Sequence, residues 1–263
     1  MKFVLITGVS GGMGLATAQM LADEGYNIIG LDQRDPGDIP GVQYIPTDLT
    51  DPESVVHAFD AARSMTDQLS AIIHMAGIYN LNSLVEIQEA DFRKIFDVNV
   101  SSVYRVNKTF LPLLEPGARI VITTSELAPL NPLPFTGIYA VTKAALDKYA
   151  FSLHMELQLL GYHVMILRPG AVNTDMLPES VKALDSFCSD TRLYPGNAAR
   201  FHQIVDRIES RSIDPSRIAS LVRNVLHARQ PRFIYSVNRN PFLVLMNLLP
   251  VKLQCWIIRK LLK

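Results

Sequence analysis

The chain has few cysteines, no grouped histidines and no long apolar run. Its two cysteines, Cys188 and Cys255, are far apart in 263 residues, and their spacing fits neither a disulfide framework nor a metal site. The six histidines are scattered, so we expect no metal. This cysteine usage favours a reducing compartment and predicts a cytoplasmic location. The first apolar run, residues 3–6, is too short for the core of a signal peptide.

No acidic residue follows Asp214, although the whole chain has 25 acidic and 25 basic residues. The last part therefore carries nine positive charges, and residues 1–214 have a net charge of −9. Residues 241–263 combine basic residues with apolar clusters, but Pro250 and Lys252 interrupt any run long enough to cross a bilayer. This basic amphipathic C-terminal extension either makes peripheral contact with an anionic membrane or covers the subunit's own core or a partner subunit. Its leucines and isoleucines disfavour nucleic-acid binding.

Apolar segments of strand length alternate with helix-like segments along the chain, which is typical of repeated βα units. Helix starts are marked at Pro52, by the capping-box residues Thr50 and Glu53, and at Pro215, by Asp214. We predict an α/β, Rossmann-like, doubly wound and mainly parallel seven-stranded sheet with helices on both faces. Residues 1–240 then form a single dinucleotide-binding and catalytic domain. The predicted strands are 2–7, 27–32, 42–46, 71–75, 119–124, 163–167 and 232–235.

A glycine-rich turn follows the first predicted strand and leads directly into a helix-like segment, residues 15–23. Glycines in such a turn let the backbone approach a pyrophosphate, and the helix N-terminus offers free N–H groups. A turn of this kind alone could have only structural meaning, but the strand before it and the helix after it predict a dinucleotide site. The predicted contacts are Gly8, Ser10, Gly11, Gly12, Met13 and Gly14.

Asp32 follows the second predicted strand, about twenty residues past the glycines. A carboxylate there accepts hydrogen bonds from both hydroxyls of the adenosine ribose and repels a 2′-phosphate. Arg34 could partly accommodate that phosphate, and an aspartate at a strand end is otherwise ordinary. Because the glycine turn also lacks a basic residue, we predict NAD as the cofactor, with NADP less favoured.

Tyr139 and Lys143 stand four residues apart near the start of a predicted helix that runs to about Leu160. Their side chains therefore share one helix face. A free tyrosine has a pKa of about 10, and a neighbouring ammonium group favours the phenolate, which brings proton exchange towards neutral pH. The pair alone is equally compatible with a helix that merely contains both residues.

Several motifs occur in an order that resembles the classical short-chain dehydrogenase/reductase family over residues 1–235. The resemblance rests on Thr7-Gly8-x-x-x-Gly12-x-Gly14, Asp48-Leu49, Asn99, Tyr139-x-x-x-Lys143 and the segment 168–174. It implies an enzyme that moves hydride between a nicotinamide cofactor and a carbonyl or secondary alcohol. The catalytic residues it implies are Ser125, Tyr139, Lys143 and Asn99. Besides the glycine turn and Asp32, the cofactor residues it implies are Asp48, Leu49, Ala76, Gly77, Asn99, Tyr139, Lys143, Pro169, Gly170, Val172 and Thr174.

The resemblance also implies a role for each catalytic residue. Tyr139 exchanges a proton with the substrate oxygen, and Lys143 binds the nicotinamide ribose and depresses the tyrosine pKa. Ser125 hydrogen-bonds the same oxygen, and Asn99 holds a water that links Lys143 to solvent.

Two positions depart from the family pattern. The usual spacing would put Glu126 in the place of the serine, but a one-residue insertion in the loop 129–137 restores Ser125. His74 and Met75 stand where the family commonly has two asparagines, and we predict a buried structural role for His74.

Residues 175–212 resemble the family's substrate lid. Their apolar side chains, Met176, Leu177, Phe187, Leu193, Tyr194 and Phe201, predict a moderately apolar substrate, or else they only fix the lid to the body. By analogy with the family, helices within 99–114 and 139–160 form the contact of a homo-oligomer, either a dimer or a tetramer. A catalytically silent dinucleotide-binding scaffold or sensor is the alternative function.

Overall fold

The computed structural model describes residues 2–174, 176–209 and 211–263, apart from the side chains of 176–180 and 206–209. One parallel sheet of seven strands forms its centre, in the order β3-β2-β1-β4-β5-β6-β7. This confirms the predicted α/β, Rossmann-like fold. The strands are β1 Phe3–Thr7, β2 Asn27–Asp32, β3 Val42–Pro46, β4 Leu69–His74, β5 Leu114–Thr123, β6 His163–Pro169 and β7 Ile234–Val237.

Helices cover both faces of the sheet. They are α1 Gly12–Asp23, α2 Pro52–Met65, α3 Glu89–Phe96, α4 Ser102–Phe110, α5 Gly137–Leu157, α6 Met176–Asp190, α7 Pro195–Glu209, α8 Pro215–His227, α9 Pro241–Leu248 and α10 Val251–Leu262.

Successive residues of β1 show why the helices cover both faces. Val4 and Ile6 lie in one apolar cluster with side chains of α1 and α8, whereas Leu5 lies in another with side chains of α2, α4 and α5. A parallel strand that is buried on both faces is apolar along its whole length rather than at alternate positions. The continuous apolar runs of the sequence therefore predicted the strands well.

Both predicted helix starts are confirmed, with one correction. Asp51 and Asp214 cap α2 and α8, and each carboxylate accepts a hydrogen bond from the backbone N–H two residues later, at 3.0 and 2.8 Å. The capping-box pattern had placed Thr50 at the cap of α2. An aspartate directly before a proline takes that place instead, because the carboxylate reaches the free N–H groups of the first turn.

The segment predicted as a lid forms α6 and α7, whose buried side chains make a separate apolar cluster around Leu81. Phe187 and Phe201 lie in this cluster, whereas Leu193 is exposed; the side chains of Met176 and Leu177 are outside the described residues. Leu262 of α10 joins the same cluster, so the C-terminal extension is fixed to the lid. Among the described helices, none is both long enough and apolar enough to cross a bilayer.

Candidate active site

The glycine turn joins β1 to α1 and lies against the chain that leaves β4. Gly8 has a left-handed backbone, with φ +73°, and its N–H donates to the Leu31 carbonyl at 2.8 Å. A Cβ on Gly8 would lie 2.6 Å from the Ala76 nitrogen, and one on Gly14 would overlap the Gly8 carbonyl oxygen. The turn is therefore compact only because glycine has no side chain at these positions. This compact shape places the start of α1 in the wall of a cleft.

This cleft, of about 1180 Å³, runs along the carboxyl ends of β1 to β4. At the turn, the Ser10 hydroxyl is buried and has no hydrogen-bond partner among the described residues. A pyrophosphate at the N-terminus of α1 would supply that partner, so the residues present fit a dinucleotide. The predicted cofactor residues that line the cleft are Gly8, Gly11, Gly12, Met13, Gly14, Asp32, Asp48, Leu49, Ala76, Gly77 and Thr174.

Asp32, at the end of β2, is held against the glycine turn. One carboxylate oxygen accepts a hydrogen bond from the Ser10 N–H and the other from the Arg34 N–H, both at 3.1 Å. The Tyr44 hydroxyl donates to the Asp32 carbonyl at 3.2 Å. Arg34 also lines the cleft but has an exposed side chain, whereas the Asp32 carboxylate is held by these two hydrogen bonds.

Asp48 and Leu49 follow β3 in a loop with many hydrogen bonds. The Asp48 carboxylate accepts hydrogen bonds from the Thr50 hydroxyl at 2.7 Å and the Thr50 N–H at 2.8 Å, and these hold the pKa of Asp48 below its usual value. The Asp48 N–H donates to Ser54 Oγ at 2.9 Å, and Arg105 donates to the Leu49 carbonyl at 3.2 Å. The predicted adenine contacts therefore lie in a well-fixed part of the cleft wall.

Tyr139 and Lys143, on the first turns of α5, meet the chain that leaves β5. Lys143 Nζ donates to the Thr123 carbonyl at 3.3 Å and lies 5.6 Å from the centre of the Tyr139 ring. Ser125 lies close enough to the Tyr139 hydroxyl to lower the pKa of the tyrosine, and its Oγ accepts a hydrogen bond from the Leu127 N–H at 3.1 Å. The structure therefore brings three of the four predicted catalytic side chains together.

Burial dominates the electrostatics of the tyrosine and lysine pair. It raises the pKa of Tyr139 to about 12, against the opposing effect of the Ser125 hydrogen bond, and it lowers the pKa of Lys143 to about 8. The cost of removing a phenolate from water thus outweighs the effect of Ser125, and the predicted depression of the tyrosine pKa by Lys143 stays a prediction. At pH 7 the site holds a neutral phenol beside a lysine that is mostly protonated.

The structure distinguishes Ser125 from Glu126. Ser125 lies beside Tyr139, whereas the hydrogen bonds of Glu126 are made with other segments: its N–H donates to the Pro169 carbonyl at 2.8 Å, and one of its carboxylate oxygens accepts from the Asn240 N–H at 2.6 Å. The serine therefore lies beside the phenol, whereas the one-residue insertion in the loop 129–137 stays a prediction.

Asn99, the fourth predicted residue, lies in a single π-helical turn, Asp97–Ser101, between α3 and α4. Its Oδ1 accepts from the Ile78 N–H at 2.8 Å, and its Nδ2 donates to the Ile78 carbonyl at 3.0 Å and to Thr142 Oγ1 at 3.1 Å. Turns of this kind are frequent at functional sites. Asn99 therefore joins the loop after β4 to α5 through Thr142, the residue before Lys143 in sequence. These contacts hold the two segments in place beside the lysine.

Asn99 and Lys143 also contact the same stretch of backbone. A Cβ on Gly77 would lie 3.3 Å from Asn99 Oδ1 and 3.4 Å from Lys143 Nζ. The predicted water between Lys143 and solvent stays a prediction.

A second, smaller cavity of about 160 Å³ is lined by Tyr139 and its neighbours. It shares Met13, Met75, Gly77 and Thr174 with the large cleft, so the two are continuous. Pro169, Gly170 and Val172, predicted at the cofactor, line this cavity rather than the cleft. Its wall also includes the apolar residues Tyr79, Leu127, Leu133, Phe201, Val205 and Leu243.

Several residues of this cavity were not predicted from the sequence, and three of them change the description of the site. The Tyr79 ring contacts the Tyr139 ring edge to face, with centres 4.4 Å apart. Glu126 had been set aside once Ser125 was preferred, yet it lines the cavity. Leu243 comes from α9 in the C-terminal extension. No local pattern marks these positions, because only the fold brings them to the site.

An ion pair fixes α5 to the ends of β5 and β6. The Arg168 guanidinium pairs with Asp147, one helical turn after Lys143, and the Thr124 hydroxyl donates to the same carboxylate at 3.0 Å. Both charged side chains are mostly buried. This pair keeps the helix that carries Tyr139 and Lys143 in register with the sheet.

His74 lies behind the site, at the end of β4. Burial lowers its pKa to about 4, so the ring is neutral at pH 7, and its Nε2 lies 2.8 Å from Asn107 Oδ1. Asn107 in turn donates to the Tyr149 hydroxyl at 3.1 Å. The three side chains link β4, α4 and α5, which supports the predicted structural role.

Comparison with known proteins gives the same picture as the geometry. A family model described as short chain dehydrogenase matches residues 2–185. The chain is 30% identical to the uncharacterized oxidoreductase YbbO of Escherichia coli K12, over 95% of this chain and 91% of that protein. It is 32% identical to the NADPH-dependent 1-acyldihydroxyacetone phosphate reductase of Schizosaccharomyces pombe, over 66% of this chain and 60% of that protein.

Among solved structures, the ligand-free aldohexose dehydrogenase of Thermoplasma acidophilum has the same fold, with a TM-score of 0.75 and 23% identity. The superposition covers 91% of this chain and 95% of the aldohexose dehydrogenase chain. The family match over more than half of the chain agrees with the resemblance in the motifs and with the sheet order. The chain therefore belongs to the short-chain dehydrogenase/reductase family of oxidoreductases.

Proposed function

We propose that the protein transfers hydride between a nicotinamide dinucleotide and a carbonyl or secondary alcohol of a moderately apolar substrate. The observation that carries this proposal is the buried contact of Ser125, Tyr139 and Lys143 at the point where the dinucleotide cleft meets an apolar cavity. The nicotinamide supplies or accepts the hydride when it is bound. The cleft holds the dinucleotide through the glycine turn, Asp32 and the loop at Asp48.

The chain's own residues handle the proton. In reduction, the neutral Tyr139 phenol donates its proton to the substrate oxygen, and the Ser125 hydroxyl hydrogen-bonds the same oxygen. The Lys143 ammonium, 5.6 Å from the ring centre, stabilises the phenolate that remains. Thr123 and the ion pair below α5 keep this lysine in place, so the donors do not have to reorganise during the reaction.

The experiment that tests the proposed function is a panel of ketones and aldehydes offered with NADH or NADPH, with absorbance at the reduced-nicotinamide band as the readout. Apolar ketones are expected to be reduced faster than sugars, because the cavity wall is mostly apolar. The name of the Schizosaccharomyces pombe relative, NADPH-dependent 1-acyldihydroxyacetone phosphate reductase, supports a ketone as the substrate. A protein that binds NADH tightly and reduces no member of the panel would instead be the silent scaffold or sensor.

The cofactor preference follows from Asp32. Its carboxylate is fixed beside the glycine turn, where it would repel a 2′-phosphate, so NAD is preferred over NADP. Asp32→Ala is expected to lower the ratio of kcat/KM with NADH to that with NADPH by about tenfold or more, since a hydrogen bond to a charged group is lost. Asp35→Ala is the matched control: Asp35 accepts the Gly37 N–H nearby but does not line the cleft. An unchanged ratio in Asp32→Ala would refute the preference.

A homo-oligomer through α4 and α5 is part of the proposal. One large side chain is exposed on α4 and three on α5, and a partner subunit would cover them; light scattering measures the resulting mass. They are Tyr104, Val141, Phe151 and Met155.

The C-terminal extension has an inner and an outer side. Leu243, Met246 and Leu262 are buried, whereas Leu245, Leu248 and Trp256 are 61%, 77% and 57% exposed. The outer side of α10 also carries lysine, with Lys260 Nζ 6.0 Å from the Trp256 ring centre. An exposed apolar face with lysine and arginine, and with no acidic residue after Asp214, complements an anionic membrane surface. The protein is thus a cytoplasmic enzyme that associates peripherally with such a surface.

Glutamates on the outer side test the membrane contact without disturbing the inner side. The double variant Leu245→Glu/Leu248→Glu is expected to bind vesicles containing phosphatidylglycerol at least about tenfold more weakly than the unchanged protein, because apolar contact is lost and like charge is added. Leu159→Glu/Leu160→Glu, an exposed pair at the end of α5, controls for added charge and should bind normally. Co-sedimentation measures both. Equal binding of the two double variants would exclude the proposed contact.

A further inference from the structure

Glu126 is a buried carboxyl in the substrate cavity with one oxygen unused. Its side chain is 6% exposed and lines the same cavity as Ser125 and Tyr139. Oε2 accepts the Asn240 N–H at 2.6 Å, whereas Oε1 has no hydrogen-bond partner among the described residues. Oε1 lies beside Gly170, where an added Cβ would come within 3.0 Å of it, and Gly170 also lines the cavity.

A buried carboxyl is costly unless its oxygens are satisfied. Burial raises the pKa of Glu126, while the Asn240 N–H and the positive charge of Arg239 lower it. The backbone contact is sufficient to anchor the C-terminal extension, but an asparagine or glutamine could accept the same N–H without this cost. The second oxygen is not fully buried and belongs to a residue that lines the cavity, so it is available to accept a further hydrogen bond there.

We propose that Glu126 is a specificity-determining residue that accepts a hydrogen bond from a hydroxyl or ammonium group next to the reacting carbonyl of the substrate. This inference rests on the proposed function, since it adds a second polar contact to the same site. A cavity of about 160 Å³ holds few groups, so a molecule whose carbonyl contacts Tyr139 lies close to the rest of the wall, which includes the Glu126 carboxyl besides hydroxyls such as that of Thr136. The substrate class is then a hydroxy- or amino-ketone with an apolar remainder.

The test compares three ketones that differ only beside the carbonyl: 2-hydroxyacetophenone, acetophenone and 2-methoxyacetophenone. The unchanged protein is expected to reduce the hydroxyketone with a kcat/KM about tenfold or more above both others, because only the hydroxyl donates to the carboxylate. Equal rates for all three would overturn the inference without any variant. If none of the three, nor any other carbonyl of the wider panel, is reduced, the proposed function itself fails.

Two variants test whether Glu126 causes the preference for the hydroxyketone. Glu126→Gln is expected to bring the three ketones to within about threefold of one another, mainly by lowering kcat/KM for the hydroxyketone. Asn240→Ala keeps the backbone N–H that binds Glu126 but removes the cap of α9, so it should retain the preference. Loss of the preference in Asn240→Ala but not in Glu126→Gln would show that the carboxyl is only an anchor.

A binding measurement removes the dependence on turnover. In the Tyr139→Phe background with the cofactor bound, calorimetry is expected to give at least about tenfold tighter binding of 2-hydroxyacetophenone than of acetophenone. Adding Glu126→Gln should abolish this difference. Equal binding of both ketones in the Tyr139→Phe background would contradict the inference even if the chemistry behaves as proposed.

Discussion

Tyr139→Phe is expected to lower kcat/KM for carbonyl reduction by about 10²- to 10⁴-fold, which is the usual contribution of a positioned general acid. The substitution removes the Tyr139 hydroxyl from the wall of the cavity, and it keeps the ring that contacts Tyr79. The loss should appear in kcat, because the proton is transferred in the transition state and not in the bound ground state.

A measurement of cofactor binding distinguishes this loss of proton transfer from a loss of structure. Tyr139→Phe should bind NADH with unchanged affinity, as followed by fluorescence titration. Tyr149→Phe is the matched control on the same helix: its hydroxyl accepts from Asn107 outside the site, so its loss should cost about 1 kcal/mol of stability and leave turnover normal. Normal turnover in Tyr139→Phe would show that another group supplies the proton.

The pH dependence of turnover follows from the same burial. With the pKa of Tyr139 raised to about 12, the phenol remains a proton donor throughout the neutral range. Lys143, with a pKa lowered to about 8, loses its charge as the pH rises through that value. Reduction should therefore decline above about pH 8 through the lysine rather than through the tyrosine.

The fold could be predicted from the sequence because its physical requirements are local. A strand buried on both faces needs a continuous apolar run, and a helix start needs a side chain that binds free N–H groups. Element ends were less accurate. The last strand was predicted at 232–235 but lies at Ile234–Val237, because a short edge strand is set by pairing with β6 and not by its own composition.

The grouping of Ser125, Tyr139 and Lys143 could be predicted because these residues lie close together in sequence or follow a strand end. Their electrostatics could not, because a pKa depends on burial that only the folded chain creates. Lys143 illustrates this: its spacing from Tyr139 is local, but the dry surroundings that lower its own pKa come from β5 and the loop after β4.

The C-terminal extension shows most clearly what could not be predicted from the sequence. Its composition is compatible with membrane contact and with coverage of the protein's own core. In the structure, one side of the extension is buried against the protein and the other side is exposed. Leu243 lines the cavity and Asn240 binds Glu126, whereas Leu245 and Leu248 face outward. Contacts of residues more than a hundred positions apart have no signature in a single sequence.

Gly8→Ala is expected to lower the free energy of unfolding by about 3 kcal/mol or more and to weaken NADH binding at least about tenfold. The added Cβ would lie 2.6 Å from the Ala76 nitrogen and 2.7 Å from its Cα. Both atoms belong to the backbone after β4, so neither can rotate away. The glycine turn or that backbone must move, and either movement disturbs the wall of the cofactor cleft.

Gly25→Ala is the matched control, because it separates backbone strain from steric overlap. Gly25 has φ +88°, similar to the +73° of Gly8, but an added Cβ would have no atom within 4 Å. The strain of a left-handed alanine alone costs about 1–2 kcal/mol, so Gly25→Ala should be mildly destabilised and bind NADH normally. Thermal unfolding and fluorescence titration measure both variants. If the two lost equal stability and kept equal affinity, the contact of Gly8 with the backbone after β4 would not be what shapes the dinucleotide site.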